Sequence, residues 1–285
     1  MKVVSLPPVS SPRLWQTAQI LGLVATLGLI GGLVAWPNRS LHLLWDIVIP
    51  VLPAVFVLNP LTWRNVCPLA TLNSMVGVRA EAPPPDIRTT RQLWWVGIAL
   101  LGVLVPARRF LFNSNGPALA GTIVAVAIIA LAAGLFAARR SGFCNTLCPV
   151  LPVEKLYGQR PLIDVGNARC TTCTGCTHVG CIELARLKTI PQTIGPTRRT
   201  TGWLTTPFGA FAAAFPGFII GYFTTSDGPL STAPQVYLQV GALAAGSYLL
   251  VTAVVLASGI AAERALRSLG WLSVATYYSL WLATR

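Results

Sequence analysis

Acidic and ionisable side chains are scarce in this chain: 285 residues include eight Asp and Glu together and two His. Charged residues make up 10% of the chain and the mean hydropathy is +0.65, whereas an ordinary soluble domain is about a quarter charged. That balance excludes a soluble enzyme and a disordered tail. With only His42 and His178, neither in a long apolar run, the paired histidines that commonly hold haem within a membrane are missing. No G-x-G-x-x-G, no G-x4-G-K-[ST] and no His-Glu zinc motif occurs, so nicotinamide binding, nucleotide hydrolysis and metalloprotease chemistry have no sequence basis. What remains is the composition of an integral membrane protein.

About 20 apolar residues in a helix cross a bilayer. Four charge-free stretches reach that length: Leu14 to Trp36, Pro117 to Ala138, Gly202 to Ser226 and Val236 to Ala262. Three shorter ones, Ile47 to Trp63, Gln92 to Ala107 and Ser268 to Thr284, reach it with interfacial Trp and Arg at their ends. The first stretch is longer than a signal-peptide core and reads as a retained anchor. The expected fold is therefore all-α, with six to seven transmembrane helices. Its organisation is a first hairpin (1–63), a loop (64–91), a second hairpin (92–138), a long segment (139–201) and C-terminal helices (202–285).

The net charge of +13 would suggest nucleic acid in a soluble chain, but its distribution points elsewhere. With seven spans and the N-terminus inside, Arg39, Arg108, Arg109 and Arg285 face outward and the other 17 of the 21 Lys and Arg face inward. This asymmetry is the positive-inside bias of a bacterial-type cytoplasmic membrane protein. The charge is thus explained by topology, lipid is the expected partner, and no nucleic acid is expected.

Cys67, Cys144, Cys148, Cys170, Cys173, Cys176 and Cys181 all fall in inner segments. A reducing cytoplasm disfavours disulfides, and an odd number cannot pair completely. Cys170, Cys173 and Cys176 form C-x2-C-x2-C, with Cys181 following. Three thiolates at successive intervals of three residues can hold three corners of a cubane cluster, as in the bacterial ferredoxin run. Zinc sites draw their ligands as two separated pairs, which makes zinc the weaker reading. The long inner segment thus reads as a small ferredoxin-like iron–sulfur loop region.

A degenerate repeat accompanies this run. Aligning Cys67-Pro68 with Cys148-Pro149 also aligns Gly77 with Gly158 and Arg79 with Arg160. Each copy reads as helix, helix, Cys-Pro, short amphipathic segment, Gly stop. The second copy carries Cys144-x3-Cys148-Pro149, and Trp63 stands in the first copy where Cys144 stands in the second.

From Leu43 to Ala185 these motifs resemble the membrane-bound ferredoxin-type proteins: NapH-like subunits of nitrate reductase systems, NosR-like proteins and MauN-like proteins of methylamine utilisation. Two departures stand out. Trp63 replaces the first Cys of the first C-x3-C-P, and one C-x2-C-x2-C run is present where larger relatives carry two. The resemblance implies [4Fe-4S] clusters that pass electrons between the quinone pool and a redox protein partner or larger membrane complex. It implies an electron-transfer subunit rather than a complete enzyme. A redox maturation factor for a partner metalloenzyme and a structural subunit with a bracing cluster are the alternatives.

Seven thiolates divide in two ways. In the first, Cys170, Cys173, Cys176 and one Cys-Pro cysteine hold one [4Fe-4S] cluster, while Cys181, Cys144 and the other Cys-Pro cysteine hold a second. That second cluster then needs a non-Cys ligand, for which His178 is a candidate, or a [3Fe-4S] core. In the other, a single cluster uses the run and one further Cys. Elsewhere, His42 and Asp46 are spaced to share a helix face at the outer entrance of the second span, as an interfacial polar pair or a proton-exchanging one. Pro50, Pro53, Pro60 and Pro216 are expected to kink their helices, and a kink near Cys67 could open a quinone-sized cleft.

Overall fold

A computed structural model describes residues 12–76, 87–136, 142–163, 165 and 201–284. Among these residues all regular structure is helical. Helix α1 (Pro12–Ala35) is followed by α2 (Pro37–His42), a π-helical turn (Leu43–Val48) and α3 (Ile49–Leu58), which run on as one rod. Two short helices, α4 (Pro60–Val66) and α5 (Pro68–Val76), precede α6 (Ile87–Ala107), which continues through a second π turn (Arg108–Phe112), and α7 (Gly116–Phe136). Two more short helices, α8 (Gly142–Thr146) and α9 (Leu151–Tyr157), lead towards the C-terminal part: α10 (Pro207–Thr224), α11 (Ala233–Ser258) and α12 (Ala262–Ala283).

Among the described residues, six helices are long and apolar enough to cross a membrane: Arg13–Ala35, Pro37–Leu58, Arg88–Phe112, Gly116–Leu135, Pro207–Thr224 and Leu230–Ser258. The second begins ten residues before the expected Ile47. Trp36 leaves helical geometry and Pro37, fixed in φ, restarts the helix at its first position. His42 and Asp46 therefore lie inside this helix, not at its entrance. Their Nδ1 and Oδ2 atoms are in contact, with His42 exposed. The expected Ser268–Thr284 stretch belongs to α12, whose first turns carry Glu263, Arg264 and Arg267. This helix packs on α9 and α10, and its Tyr278 hydroxyl donates to the Pro50 carbonyl at 2.9 Å.

Apolar on every side, α10 is the central helix. Phe208, Phe211, Ala212, Ala213, Phe215 and Ile219 are all buried in the largest core cluster, as expected of a helix without a polar face. By contrast α1 and α11 leave Ile20, Leu21, Leu27, Leu249, Leu250 and Leu256 exposed, which suits contact with lipid.

The two Cys-Pro copies are arranged reciprocally. The helix after the first Cys-Pro, α5, packs on α7 of the second copy, and the helix after the second, α9, packs on α3 of the first. Each copy also seats its Cys-Pro corner on a glycine of its own leading span. A Cβ on Gly22 would lie 2.7 Å from the Val66 carbonyl oxygen, and one on Gly97 would lie 3.2 Å from that of Leu147. Val66 and Leu147 are the residues immediately before Cys67 and Cys148. Three residues before each glycine a side chain reaches the same corner: Gln19 Nε2 donates to the Asn65 carbonyl at 3.1 Å, and Trp94 Nε1 to the Asn145 carbonyl at 2.8 Å. The two Cys-Pro corners are thus seated in the same way, each on its own leading span.

Gly22→Ala should destabilise the protein by about 1–3 kcal/mol, because its methyl meets backbone rather than a yielding side chain. Gly28→Ala on the same helix, with nothing within 4 Å, should be neutral or stabilising by up to about 1 kcal/mol through helix propensity. Thermal unfolding of the two variants in detergent reads the difference directly.

Candidate metal centre

The Cys-Pro corners follow from local chemistry. Asn59, extended at φ −170° and ψ 120°, breaks the helix after α3, and its side chain accepts the Leu61 N–H at 2.8 Å to cap α4. Its amide also donates to the Ile163 carbonyl at 2.8 Å, tying the first copy to the strand of chain after the second. Proline disfavours helical geometry in the residue before it, so α4 stops at Cys67 (φ −57°, ψ 125°) and α5 starts at Pro68. In the second copy α8 stops at Thr146 and α9 starts at Leu151, with Cys148 and Pro149 between. The cysteines sit where the chain turns. Cys67 N–H donates to the Trp63 carbonyl at 2.7 Å and Cys148 N–H to the Phe143 carbonyl at 3.1 Å.

Cys67, Cys144 and Cys148 share one apolar cluster with Ala70, Ala130, Phe143 and Leu147. Cys144 is buried, Cys67 and Cys148 are half-buried, and none of the three is in a disulfide. Desolvation pushes the Cys148 thiol up to about 12, with Cys67 and Glu154 adding to the effect, while a backbone hydrogen bond at Val150 and the charge of Arg64 oppose it. Without a metal this thiol is thus protonated at neutral pH. Among the described residues, no three His, Cys, Asp or Glu side chains are grouped so as to hold a metal ion. Cys170, Cys173, Cys176, Cys181 and His178 lie outside the described residues, as do Gly77 and Arg79.

Trp63 occupies a different environment from its counterpart Cys144. It packs against the large cluster of Phe56, Leu156, Trp203 and Phe208, not against the three cysteines.

Beside the thiols lies a charged group that sequence reading passed over. Arg64 Nε and Glu154 Oε1 are 2.5 Å apart, with both side chains almost buried. Arg64 Nη1 also donates to Asn145 Oδ1 at 3.4 Å. The pair joins α4 to α9 and so fixes one Cys-Pro corner to the other. A signal was available in retrospect, since Glu154 is one of only eight acidic residues and lies six positions after Cys148. Next to it, Lys155 Nζ stands 4.5 Å over the Trp94 ring. Desolvation and then Arg64 pull its ammonium down to about 7, against the pull of Glu154.

A cavity of about 530 Å³ lies between α6, α10 and α11, lined by Trp95, Leu101, Phe211, Phe215, Phe218 and Tyr248 among others. Ile98 contributes both to this cavity and to a small pocket that contains Cys148, Trp94 and Lys155. Pro216 lies within the stretch of α10 that lines the cavity, whereas Pro50, Pro53 and Pro60 do not line it.

At the other end of the long helices, Arg109 pairs with Asp227 at 2.9 Å, and Arg108 donates to Asn113 at 2.9 Å and to the Tyr222 hydroxyl at 2.6 Å. Arg108 also stacks over Trp45 at 4.6 Å. These two arginines brace the second π turn against α10 and the loop that follows it.

Comparison with family models, with curated proteins and with solved structures finds no match to this chain.

Proposed function

We propose that the chain is an integral membrane electron-transfer protein of the ferredoxin type. It holds [4Fe-4S] clusters at the cytoplasmic face and passes single electrons between the quinone pool or a membrane partner and another redox protein. The observation that carries this reading is the gathering of Cys67, Cys144 and Cys148, up to 81 positions apart in number, into one apolar cluster by two equivalent Cys-Pro corners. Buried inert thiols are common singly. Three brought together from two repeats, in a chain that also carries Cys170-x2-Cys173-x2-Cys176, fit a thiolate-bound cofactor better.

The donor set suits an iron–sulfur cluster. Cys67, Cys144 and Cys148, with Cys170, Cys173, Cys176 and Cys181, would hold it, and when bound it supplies one-electron chemistry whose potential depends on burial and hydrogen bonding. The residues of this chain set those conditions. Ala70, Ala130 and Phe143 exclude water, and a backbone hydrogen bond at Val150 favours the thiolate of Cys148. The charge of Arg64 also favours the Cys148 thiolate, against the stronger opposing effect of Glu154.

The excess of Lys and Arg in the segments that carry the cysteines supports a cytoplasmic side for the Cys-Pro corners. The Tyr278 contact along α3 supports α12 as a seventh span, its charged first turns at the cytoplasmic end. The apolar, aromatic-lined cavity beside Ile98 has the size of a small-molecule site and lies next to the Cys148 pocket, so it is the proposed docking place for a quinone.

Anaerobic protein in detergent should be reduced by a quinol analogue in a single rapid phase, and reoxidised reversibly in a potentiometric titration followed by electron paramagnetic resonance. A reversible signal that never exchanges with quinol would point instead to a bracing cluster.

A further inference from the structure

We infer that Cys67, Cys144 and Cys148 are ligands of one and the same cluster, not of two. This rests on the iron–sulfur reading and fixes the division of ligands that motif spacing leaves open. Reading the sequence alone, the two Cys-Pro cysteines fall to different clusters. The fold argues against that division on three grounds.

All three side chains line one apolar cluster, whose other members are small or flat: Ala70, Ala130, Phe143. Cys67 reaches it from the first copy because α5 packs across α7, while Cys144 and Cys148 reach it from α8 and the turn below the same helix. Trp63, the counterpart of Cys144 in the first copy, packs instead against the large cluster that holds Phe56 and Trp203. Of the four C-x3-C-P positions, three carry cysteine, and all three meet in this one cluster. A cubane spreads its protein ligands over the corners of a cube, wider than the ligands of a single ion, so the three thiols need not converge on a point.

One ligand from elsewhere then completes this cluster. The C-x2-C-x2-C run is left to hold the second cluster without help from either Cys-Pro corner.

The test uses the full chain purified anaerobically. Cys67→Ser, Cys144→Ser and Cys148→Ser should each abolish or convert the same electron paramagnetic resonance signal and leave the other intact. The double variant Cys67→Ser/Cys148→Ser should lose no more iron than either single variant, at most about four atoms. Different signals lost in Cys67→Ser and Cys148→Ser, or loss of both clusters only in the double variant, would overturn the assignment. A second measurement does not depend on cluster assembly. In a chain whose Cys144, Cys170, Cys173, Cys176 and Cys181 are all Ser, dibromobimane should bridge Cys67 to Cys148 and fluoresce. Failure to bridge them in folded protein would also overturn it. Absence of iron from the unaltered chain sinks the iron–sulfur reading itself, whereas iron with divided signals sinks only this assignment.

Discussion

Arg64→Met should destabilise the protein by about 3–5 kcal/mol, since it leaves a buried carboxylate without its partner. Glu154 keeps almost no solvent contact and is held by Arg64 at 2.5 Å, so water cannot take over the lost interaction. Glu154→Gln should act in the same direction, by leaving the Arg64 guanidinium unneutralised. The double variant Arg64→Met/Glu154→Leu removes both desolvation costs and should recover most of the loss. Thermal unfolding in detergent measures all three. Because the pair links the two Cys-Pro corners, the single variants should also lose the visible absorbance of the proposed cluster at a temperature where the long helices still give full helical circular dichroism. Single variants as stable as the unaltered chain would mean that the pair holds nothing in place.

How far the sequence reveals this architecture depends on the range of the interaction. Helices such as Gly116–Phe136 and Ala233–Ser258 were legible because an uninterrupted apolar run is a local property. The second span was expected to start at Ile47, after Arg39, His42 and Asp46, whereas Pro37 at a first helical position, with its fixed φ, starts the helix ten residues earlier. The pairing of Cys67 with Cys148 was legible from the repeat, and each of the two corners lies against a glycine, Gly22 or Gly97. Neither glycine was singled out by sequence, since in an apolar helix a glycine that receives a carbonyl looks the same as Gly28, which receives nothing. Arg64 and Glu154 are 90 residues apart, and no local pattern joins them. Trp63 was legible as standing where the second copy has Cys144, but its packing against a cluster that includes Leu156 and Phe208 depends on α9 and α10 arriving from the other half of the chain.

Iron content carries the largest expected effect, because it separates an electron carrier from a membrane protein with seven ordinary thiols. Two complete [4Fe-4S] clusters give about eight iron and eight labile sulfide per chain, and about seven iron results if the three-cysteine site holds [3Fe-4S]. In the proposed two-cluster arrangement the seven cysteines would supply four thiolates to one cluster and three to the other, so the second should show either the shortfall of one iron or a non-cysteine ligand. A value near four would reduce the account to a single cluster. The most direct measurement is therefore iron and labile sulfide in anaerobically purified protein, with the same sample titrated by a thiol reagent before and after acid release of the metal. The account predicts seven to eight iron per chain, roughly equal sulfide, and thiols that react only after release. Protein without iron or sulfide, whose seven cysteines react at once when the chain is opened by denaturant alone, would contradict it.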